Sequence, residues 1–129
     1  MRSVLSFAAA SVVFAAVLAP SPASAHAKIV ASTPAEGATI ARPRTLSLTF
    51  SEALSAQTAA TSIVMIAMPG MADHPPMTIR NYQSSWSADN RTVTLTLRQP
   101  LATGSYELRW QATGADGHMA SGKVGFAVR

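Results

Sequence analysis

Of the 129 residues in the chain, 48% are hydrophobic and only 12% are charged, with a formal net charge of +4. The absence of cysteine excludes disulfides, zinc–thiolate sites, iron–sulfur clusters and blue-copper centres, because each of them is built on cysteine sulfur. The lysines and arginines are scattered along the chain rather than gathered in a run, so the charge does not indicate a surface for nucleic acid.

Residues 1–25 have the pattern of a secretory signal peptide. Arg2 gives a positive start, a long apolar run follows, prolines interrupt it, and the stretch ends at Ala25 in the small residues Ala-Ser-Ala that signal peptidase requires. An uncleaved membrane anchor is the alternative, since the apolar run could just cross a bilayer, but the prolines and the cleavage pattern favour export. We therefore expect a periplasmic protein, cleaved after Ala25, with one domain over residues 26–129 that starts at His26 and has no membrane span.

The rest of the chain alternates apolar and polar residues with a period of two, which is the pattern of antiparallel strands with one buried face. In chain order the strand patterns cover residues 28–32, 46–50, 61–67, 78–83, 93–97, 106–110 and 124–128. Residues 51–58 form the one stretch that is compatible with a short helix. About seven short strands separated by turn residues predict an all-β fold, a seven-stranded Greek-key β-sandwich of the immunoglobulin-like type.

The two tryptophans differ in their sequence surroundings. Trp110 shares the apolar face of its predicted strand with Tyr106 and Leu108, so we expect it in the core. Trp86 lies in the polar stretch 83–89, where a loop is the simpler interpretation. Only the first of them is therefore expected to contribute to the packing between the sheets.

The segment MIAMPGMADHPPM, residues 65–77, gathers four of the six methionines of the chain. Its proline and glycine residues argue against a helix, and a spacing of three places neighbouring methionines on opposite faces of a strand. Met65 alone can belong to the preceding strand and face the core. Met68, Met71 and Met77 then lie on a loop, where packing gives no reason for thioethers to cluster.

Two interpretations of this methionine loop stay open. Thioether sulfur is a soft, neutral donor that favours Cu(I), and the loop histidine adds a nitrogen. A flexible methionine surface for a protein partner is the alternative. A chain without cysteine has few other soft ligands, which favours copper. The candidate Cu(I) ligands are Met65, Met68, Met71, His74 and Met77.

A second set of metal ligands is predicted at His26, Asp116 and His118. After cleavage, the free α-amine of His26 and its imidazole can close a chelate ring on one metal ion. In the sequence GADGHMASG, Asp116 and His118 are two residues apart, so both reach one point if the segment is extended. Two or three nitrogens with one carboxylate suit Cu(II), whereas a frayed first residue and a simple Asp-Gly turn are the alternatives without a metal.

The sequence as a whole resembles the CopC/PcoC-type family of periplasmic copper-resistance proteins over residues 26–129. The opening HAKIVASTPAEGATI, the stretch LTFSEAL, the methionine loop and the closing D-x-H with SGKVGFAV follow the order of that family. The resemblance implies a cupredoxin-like β-sandwich with two copper sites near opposite ends. It implies Cu(II) at His26, Asp116 and His118, and Cu(I) at a subset of the methionine-loop candidates.

Further positions take their expected roles from the same resemblance. Glu52, in LTFSEAL, is expected beside the Cu(II) ligands rather than among them, and Trp110 matches a tryptophan close to the metal region. The loop departs from the family pattern, because Ala72 and Asp73 both separate MPGM from the histidine where the family has one residue. The extra residue shifts His74 along the loop and adds a carboxylate.

Together these patterns favour a copper carrier and not an enzyme, with Cu(II) at one end and Cu(I) at the other. The resemblance implies an inner-membrane copper transporter of the CopD type and a periplasmic multicopper oxidase as partners. A histidine-brace copper monooxygenase is the enzymatic alternative, but Asp116 would occupy a position that such an enzyme keeps open for oxygen. A structural β-sandwich with incidental metals is the third hypothesis, and it predicts that removing His26 changes nothing functional.

Overall fold

The structure, a computed structural model, describes residues 27–71, 73 and 75–129. Within this part of the chain it contains nine β-strands and no helix. In chain order the strands are β1 (Ile29–Thr33), β2 (Thr39–Ile40), β3 (Thr45–Phe50), β4 (Ala60–Ala67), β5 (Met77–Ile79), β6 (Tyr82–Trp86), β7 (Thr92–Leu97), β8 (Gly104–Thr113) and β9 (Met119–Val128). The predicted signal peptide, His26 and His74 lie outside the described residues. Over the described ranges, no helix has the length and apolar character needed to span a membrane.

The strands pack as a sandwich of two sheets. One sheet has the strand order β1–β3–β7–β6, and the other has the order β2–β9–β8–β4–β5. The paired strands are antiparallel except for β2 and β9, which are parallel. The expected all-β sandwich is confirmed, although the described residues form nine strands rather than seven.

The two additional strands have separate origins. One is β2, a two-residue strand beside β9. The other arises because the predicted strand over residues 78–83 is divided, with β5 pairing to β4 in one sheet and β6 pairing to β7 in the other. The chain crosses between the sheets at Arg80 and Asn81, where the Asn81 carbonyl accepts a hydrogen bond from Arg98 N at 2.9 Å. An alternating pattern does not reveal such a crossing, because both halves keep strand-like residues.

The core lies between the two sheets, where the apolar faces of β3, β7, β8 and β9 meet. The ring of Phe50 packs edge-on against Trp110 with 4.7 Å between the ring centroids, and Tyr106 stacks on Phe126 at 5.6 Å. Burying one such side chain contributes about 1.5–3 kcal/mol, so the period-two pattern that predicted these strands is also what holds the sheets together. The core position expected for Trp110 is confirmed.

Two sequence expectations are wrong. Residues 51–58 form turns and a single bridge instead of a helix, because their backbone groups bond to other segments; Ser55 N, for example, donates to Thr113 O at 2.9 Å. Trp86 is not in a loop but ends β6, and its ring stacks on Phe50 with 6.1 Å between centroids. β6 is an edge strand whose middle residues face water, so its polar sequence conceals the inward-facing tryptophan.

Candidate metal centres

The loop that joins β8 to β9 holds two of the predicted ligands. It is a tight turn in which Gly114 N donates to His118 O at 3.1 Å and Gly117 N donates to Gly114 O at 3.0 Å. Gly117 has a φ of 79°, a conformation that glycine adopts without strain. The turn therefore places Asp116 and His118 side by side at one end of β8.

Asp116 and His118 are in direct contact. Asp116 Oδ1 accepts a hydrogen bond from the His118 backbone N at 3.0 Å, and Oδ2 lies 3.1 Å from His118 Nδ1. The imidazole is 72% exposed and the carboxylate 24% exposed. This contact fixes the orientation of the imidazole beside the carboxylate, so a side-chain nitrogen and a side-chain oxygen lie close together at the end of the loop. The structure thus brings these two predicted ligands together.

Glu52 reaches the same loop from the end of β3. Its Oε1 atom is buried and has no hydrogen-bond partner among the described residues. A Cβ atom added to Gly114 would overlap this oxygen and would lie 3.3 Å from Asp116 Oδ1, so both carboxylates border Gly114. A buried carboxylate oxygen is costly unless a donor or a cation compensates it. The pairing of Glu52 with Asp116 therefore fits a site that takes a cation.

The described chain begins beside Glu52. Lys28 N donates to Ser51 Oγ at 3.0 Å, Ser51 N donates to Lys28 O at 2.7 Å, and Ala27 is buried. His26, the next residue toward the N-terminus, lies outside the described residues. Among those that are described, no three His, Cys, Asp or Glu side chains form a group that could hold a metal ion. The three-ligand Cu(II) set therefore stays a prediction.

Met68 and Met71 flank a tight turn at the other end of β8. Met71 N donates to Met68 O at 3.1 Å, and the two residues form an isolated antiparallel bridge. The ring of Pro69 fixes φ at about −65° and Gly70 has a φ of 77°, the combination found in a type II turn. Residues paired across an antiparallel bridge project to the same side, so the turn presents two thioethers together.

Met65 and Met77 form a second cross-strand pair, directly opposite each other in β4 and β5. Their environments differ, because Met65 is 2% exposed whereas Met77 is 42% exposed on the short edge strand. Met71 is 51% exposed, and Met68 is half-buried against the core. Met65 therefore packs in the core while the other three methionines border the solvent. His74 lies outside the described residues.

The two donor sets lie at opposite ends of β8. At one end Ser105 pairs with Ala67, which directly precedes Met68, and at the other end Thr113 directly precedes Gly114. β8 has ten residues, and at about 3.3 Å per residue it spans about 30 Å. The carboxylate and imidazole groups are thus separated from the thioethers by the length of the sandwich.

Two residues add to the sequence interpretation of the end of β8 where Glu52 and Asp116 lie, which we call the carboxylate end. Trp110 contacts Phe50, which comes two residues before Glu52, so the tryptophan lies under the segment that carries this carboxylate. Gly114 was missed by the sequence analysis, because a glycine shortly before D-x-H is indistinguishable from an ordinary turn residue. Only the position of the Glu52 carboxylate shows that the side-chain space at Gly114 is already occupied.

Comparison with known proteins identifies the family. Residues 29–129 match the CopC domain. Copper resistance protein C of Xanthomonas campestris pv. juglandis is 37% identical over 124 residues, covering 96% of each chain. The protein of the same name from Pseudomonas syringae pv. tomato is 41% identical over 115 residues, covering 89% of this chain and 90% of its own. The crystal structure of PcoC, a methionine-rich copper resistance protein from Escherichia coli, matches with a TM-score of 0.72 at 28% identity, covering 81% of this chain and all of that one.

The fold is a β-sandwich that carries side chains able to bind metals at both of its ends. On the match to the domain and to these relatives, the chain belongs to the CopC family. The family resemblance predicted from the sequence is confirmed.

Proposed function

We propose that the protein is a periplasmic copper-binding carrier that serves copper resistance and homeostasis. Copper resistance is the role for which its relatives are named. The observation that carries the finer proposal is the separation of two chemically different donor sets by the length of β8. Carboxylate and imidazole groups suit Cu(II), and thioethers suit Cu(I), so each end matches one oxidation state. Copper is the cargo of this protein rather than a catalytic cofactor.

At the carboxylate end, we assign Cu(II) to His26, Asp116 and His118. The contact between Asp116 and His118 supports this assignment, as does the chain direction at Lys28, which bonds to Ser51. Position 26 is one Cα step, about 3.8 Å, beyond Ala27. The α-amine and imidazole released by cleavage after residue 25 would then complete the set, with the Glu52 carboxylate beside it.

At the methionine end, we assign Cu(I) to Met68, Met71 and Met77, with His74 as a further ligand and Met65 behind them. The type II turn supports the assignment, because it holds two thioethers on one side without help from a metal. The exposure of Met71 and Met77 gives an ion direct access to both sulfurs. A surface for a protein partner would use the same exposed methionines. A Cu(I) titration distinguishes the copper site from the partner surface, because only the copper site binds the ion.

A carrier is favoured over a monooxygenase by the form of the surface. An open groove of about 580 Å³ lies between β5 and β6 and is lined by Arg80, Tyr82 and Trp86 among others. None of the described ligand candidates lines this groove, so it offers no copper to a bound substrate. As a copper ligand, Asp116 would also occupy a position that a monooxygenase keeps open for oxygen.

The partners that we propose are an inner-membrane copper transporter of the CopD type and a periplasmic multicopper oxidase. Export by the signal peptide over residues 1–25 places the carrier in the compartment where both would meet it. Because the donor sets are about 30 Å apart, each partner can approach its own end of the sandwich.

The deciding experiment is a Cu(II) titration of the processed protein that starts at His26, compared with a variant that keeps Ala25 before it. Binding is followed by the d–d absorption band and by tryptophan fluorescence, with a competing chelator present. We expect the His26 form to bind one Cu(II) tightly and the extended form to bind it weaker by several powers of ten, each worth about 1.4 kcal/mol. Equal, weak binding by the two forms would remove the Cu(II) site and leave the methionine loop as the only support for the proposal.

A further inference from the structure

We propose that Gly114 is a positioning residue of the Cu(II) site, because the lack of a side chain there lets the Glu52 carboxylate lie beside Asp116. This inference rests on the proposed function, and it concerns how this chain sets the charge around the ion. Glu52 touches the site directly, whereas Gly114 acts through Glu52.

The two glycines of the β8–β9 loop are glycine for different reasons. Gly117 has a φ of 79°, and a Cβ added to it would meet no atom within 4 Å, so its backbone conformation explains the residue. Gly114 has a φ outside the left-handed region, so its φ does not call for glycine. A Cβ atom at Gly114 would overlap Glu52 Oε1 and would lie 3.3 Å from Asp116 Oδ1. The glycine is therefore required for space and not for conformation.

The backbone around Glu52 is fixed, so only its side chain can yield to a Cβ at position 114. Leu54 forms a bridge with Gly114 itself and donates its N–H to Asn90 O at 2.9 Å. On the other side of Glu52, Ser51 N donates to a carbonyl of the entering chain at 2.7 Å. The overlapping atom is the far end of a flexible side chain, which can rotate away at little cost. A Gly114→Ala change should consequently move the carboxylate and leave the fold in place.

Moving this carboxylate changes the chemistry of the site. Glu52 Oε1 is buried without a hydrogen-bond partner among the described residues, and a cation nearby would offset the cost of burying it. With the Glu52 carboxylate beside Asp116, two negative groups attract one Cu(II) ion. A residue that acts beside the ligands of a metal is worth about tenfold to a hundredfold in affinity. We expect Gly114→Ala to lose that factor.

The test is a double-mutant cycle on the protein processed from the full chain, with its N-terminal residue confirmed by mass spectrometry. The variants are Gly114→Ala, Glu52→Ala and the two combined, and the probe is Cu(II) in competition with a chelator. Electron paramagnetic resonance of bound Cu(II) reports on the charge around the ion, and thermal unfolding of the metal-free protein reports on the fold. Cu(I) titration of the methionine end serves as an internal control in every variant.

The proposal expects three results together. Gly114→Ala weakens Cu(II) binding by about tenfold to a hundredfold and shifts the resonance spectrum toward that of Glu52→Ala. Adding Gly114→Ala to Glu52→Ala then causes no further loss, because the displaced group is already gone. Stability and Cu(I) binding stay at the wild-type level.

Two other results overturn it. If Gly114→Ala binds Cu(II) like the wild type, or loses the same factor in the Glu52→Ala background, Gly114 does not act through Glu52 and the Cu(II) carrier itself is unaffected. If the wild-type protein shows no tight Cu(II) binding at all, the proposed Cu(II) site and this inference fall together, and the methionine loop is left as the only support for the carrier.

Discussion

At the scale of single residues, the methionines show how burial divides one sequence motif into two roles. Met65 is 2% exposed between β5 and β8, whereas Met71 is 51% exposed on the turn. The thioether is the same in both, so only its surroundings decide whether it fills the core or remains available to an ion. Substitutions at these two positions should therefore separate stability from copper binding.

Met71→Leu is expected to lower the affinity for Cu(I) by about tenfold or more, since it removes one sulfur and keeps the volume, and tenfold is about 1.4 kcal/mol. Because Met71 is exposed, the substitution should change the free energy of unfolding by less than about 0.5 kcal/mol. The measurement is a Cu(I) titration against a coloured chelator, beside a thermal unfolding curve.

Met65→Leu is the matched control for Met71→Leu. A volume-conserving change in the core costs less than about 1.5 kcal/mol, and it should leave Cu(I) binding near the wild-type level. Should Met65→Leu weaken Cu(I) as strongly as Met71→Leu does, Met65 would be a ligand that the metal draws out of the core.

At the scale of elements, the turn at residues 68–71 organises the methionine end. Its geometry comes from the pair Pro69-Gly70, one residue with a fixed negative φ and one with a positive φ. The hydrogen bond from Met71 N to Met68 O closes the turn. Preorganised thioethers need less ordering when an ion arrives, so we expect the turn itself to contribute to Cu(I) affinity.

Gly70→Ala tests that contribution. A Cβ at Gly70 would meet no atom within 4 Å, so the cost is the strain of the left-handed conformation, about 1–2 kcal/mol. Relaxing the turn should separate Met68 from Met71 and weaken Cu(I) binding. Gly37→Ala is the control, because Gly37 has nearly the same φ of 76° and equally open surroundings, far along the chain from the methionines. Both variants should lose similar stability in urea unfolding, and equal losses of Cu(I) affinity would contradict the role of the turn.

The elements also show where sequence interpretation succeeds and where it stops. Alternation located β3, β7, β8 and β9, because each of these strands has one face in the core and one outside. It did not separate β5 from β6, since the crossing at Arg80 and Asn81 leaves no mark in the pattern. It placed Trp86 in a loop, because the middle of an edge strand is as polar as a loop.

The candidate site was predictable to the same uneven degree. The D-x-H motif anticipated the contact between Asp116 and His118, and the methionine motif anticipated the turn that joins Met68 to Met71. The N-terminal histidine and the binding of copper stay predictions. Long-range contacts escaped the sequence. The approach of Glu52 to Gly114 joins segments more than sixty residues apart in the chain, and no local pattern encodes it.

At the scale of the whole molecule, the sheet of β8 and β9 carries a charged cluster midway between the two ends. Glu107 forms two ion pairs: its Oε2 lies 2.8 Å from Arg109 Nη2, and its Oε1 lies 3.6 Å from Lys123 Nζ. The hydrogen bond from Arg109, together with the charge of Lys123, holds the pKa of Glu107 below its ordinary value of 4.5. Folding therefore favours the ionised carboxylate, and this contribution is fully present above pH 4.5 and is lost as the pH falls through the lower pKa of the folded protein.

Glu107→Gln should accordingly destabilise the protein at neutral pH by about 1 kcal/mol or less, as a surface ion pair does. The difference from the wild type should shrink as the pH falls below 4.5 and disappear in strong acid. Thermal unfolding of both proteins across the acid range gives the measurement. A difference that persists unchanged in acid would show that the glutamine acts through packing and not through charge.

The length of β8, about 30 Å between the two donor sets, has a consequence for the kinetics of copper movement. An ion cannot pass by ligand exchange from the methionine end to the carboxylate end of one molecule, because no ligand on either side reaches the other. Exchange between the ends then requires either release into solution or an encounter of two molecules. Where the transfer takes place by an encounter, with dissolved oxygen as the oxidant that accepts the electron lost by Cu(I), it should follow second-order kinetics, so a higher protein concentration should speed it and dilution should slow it.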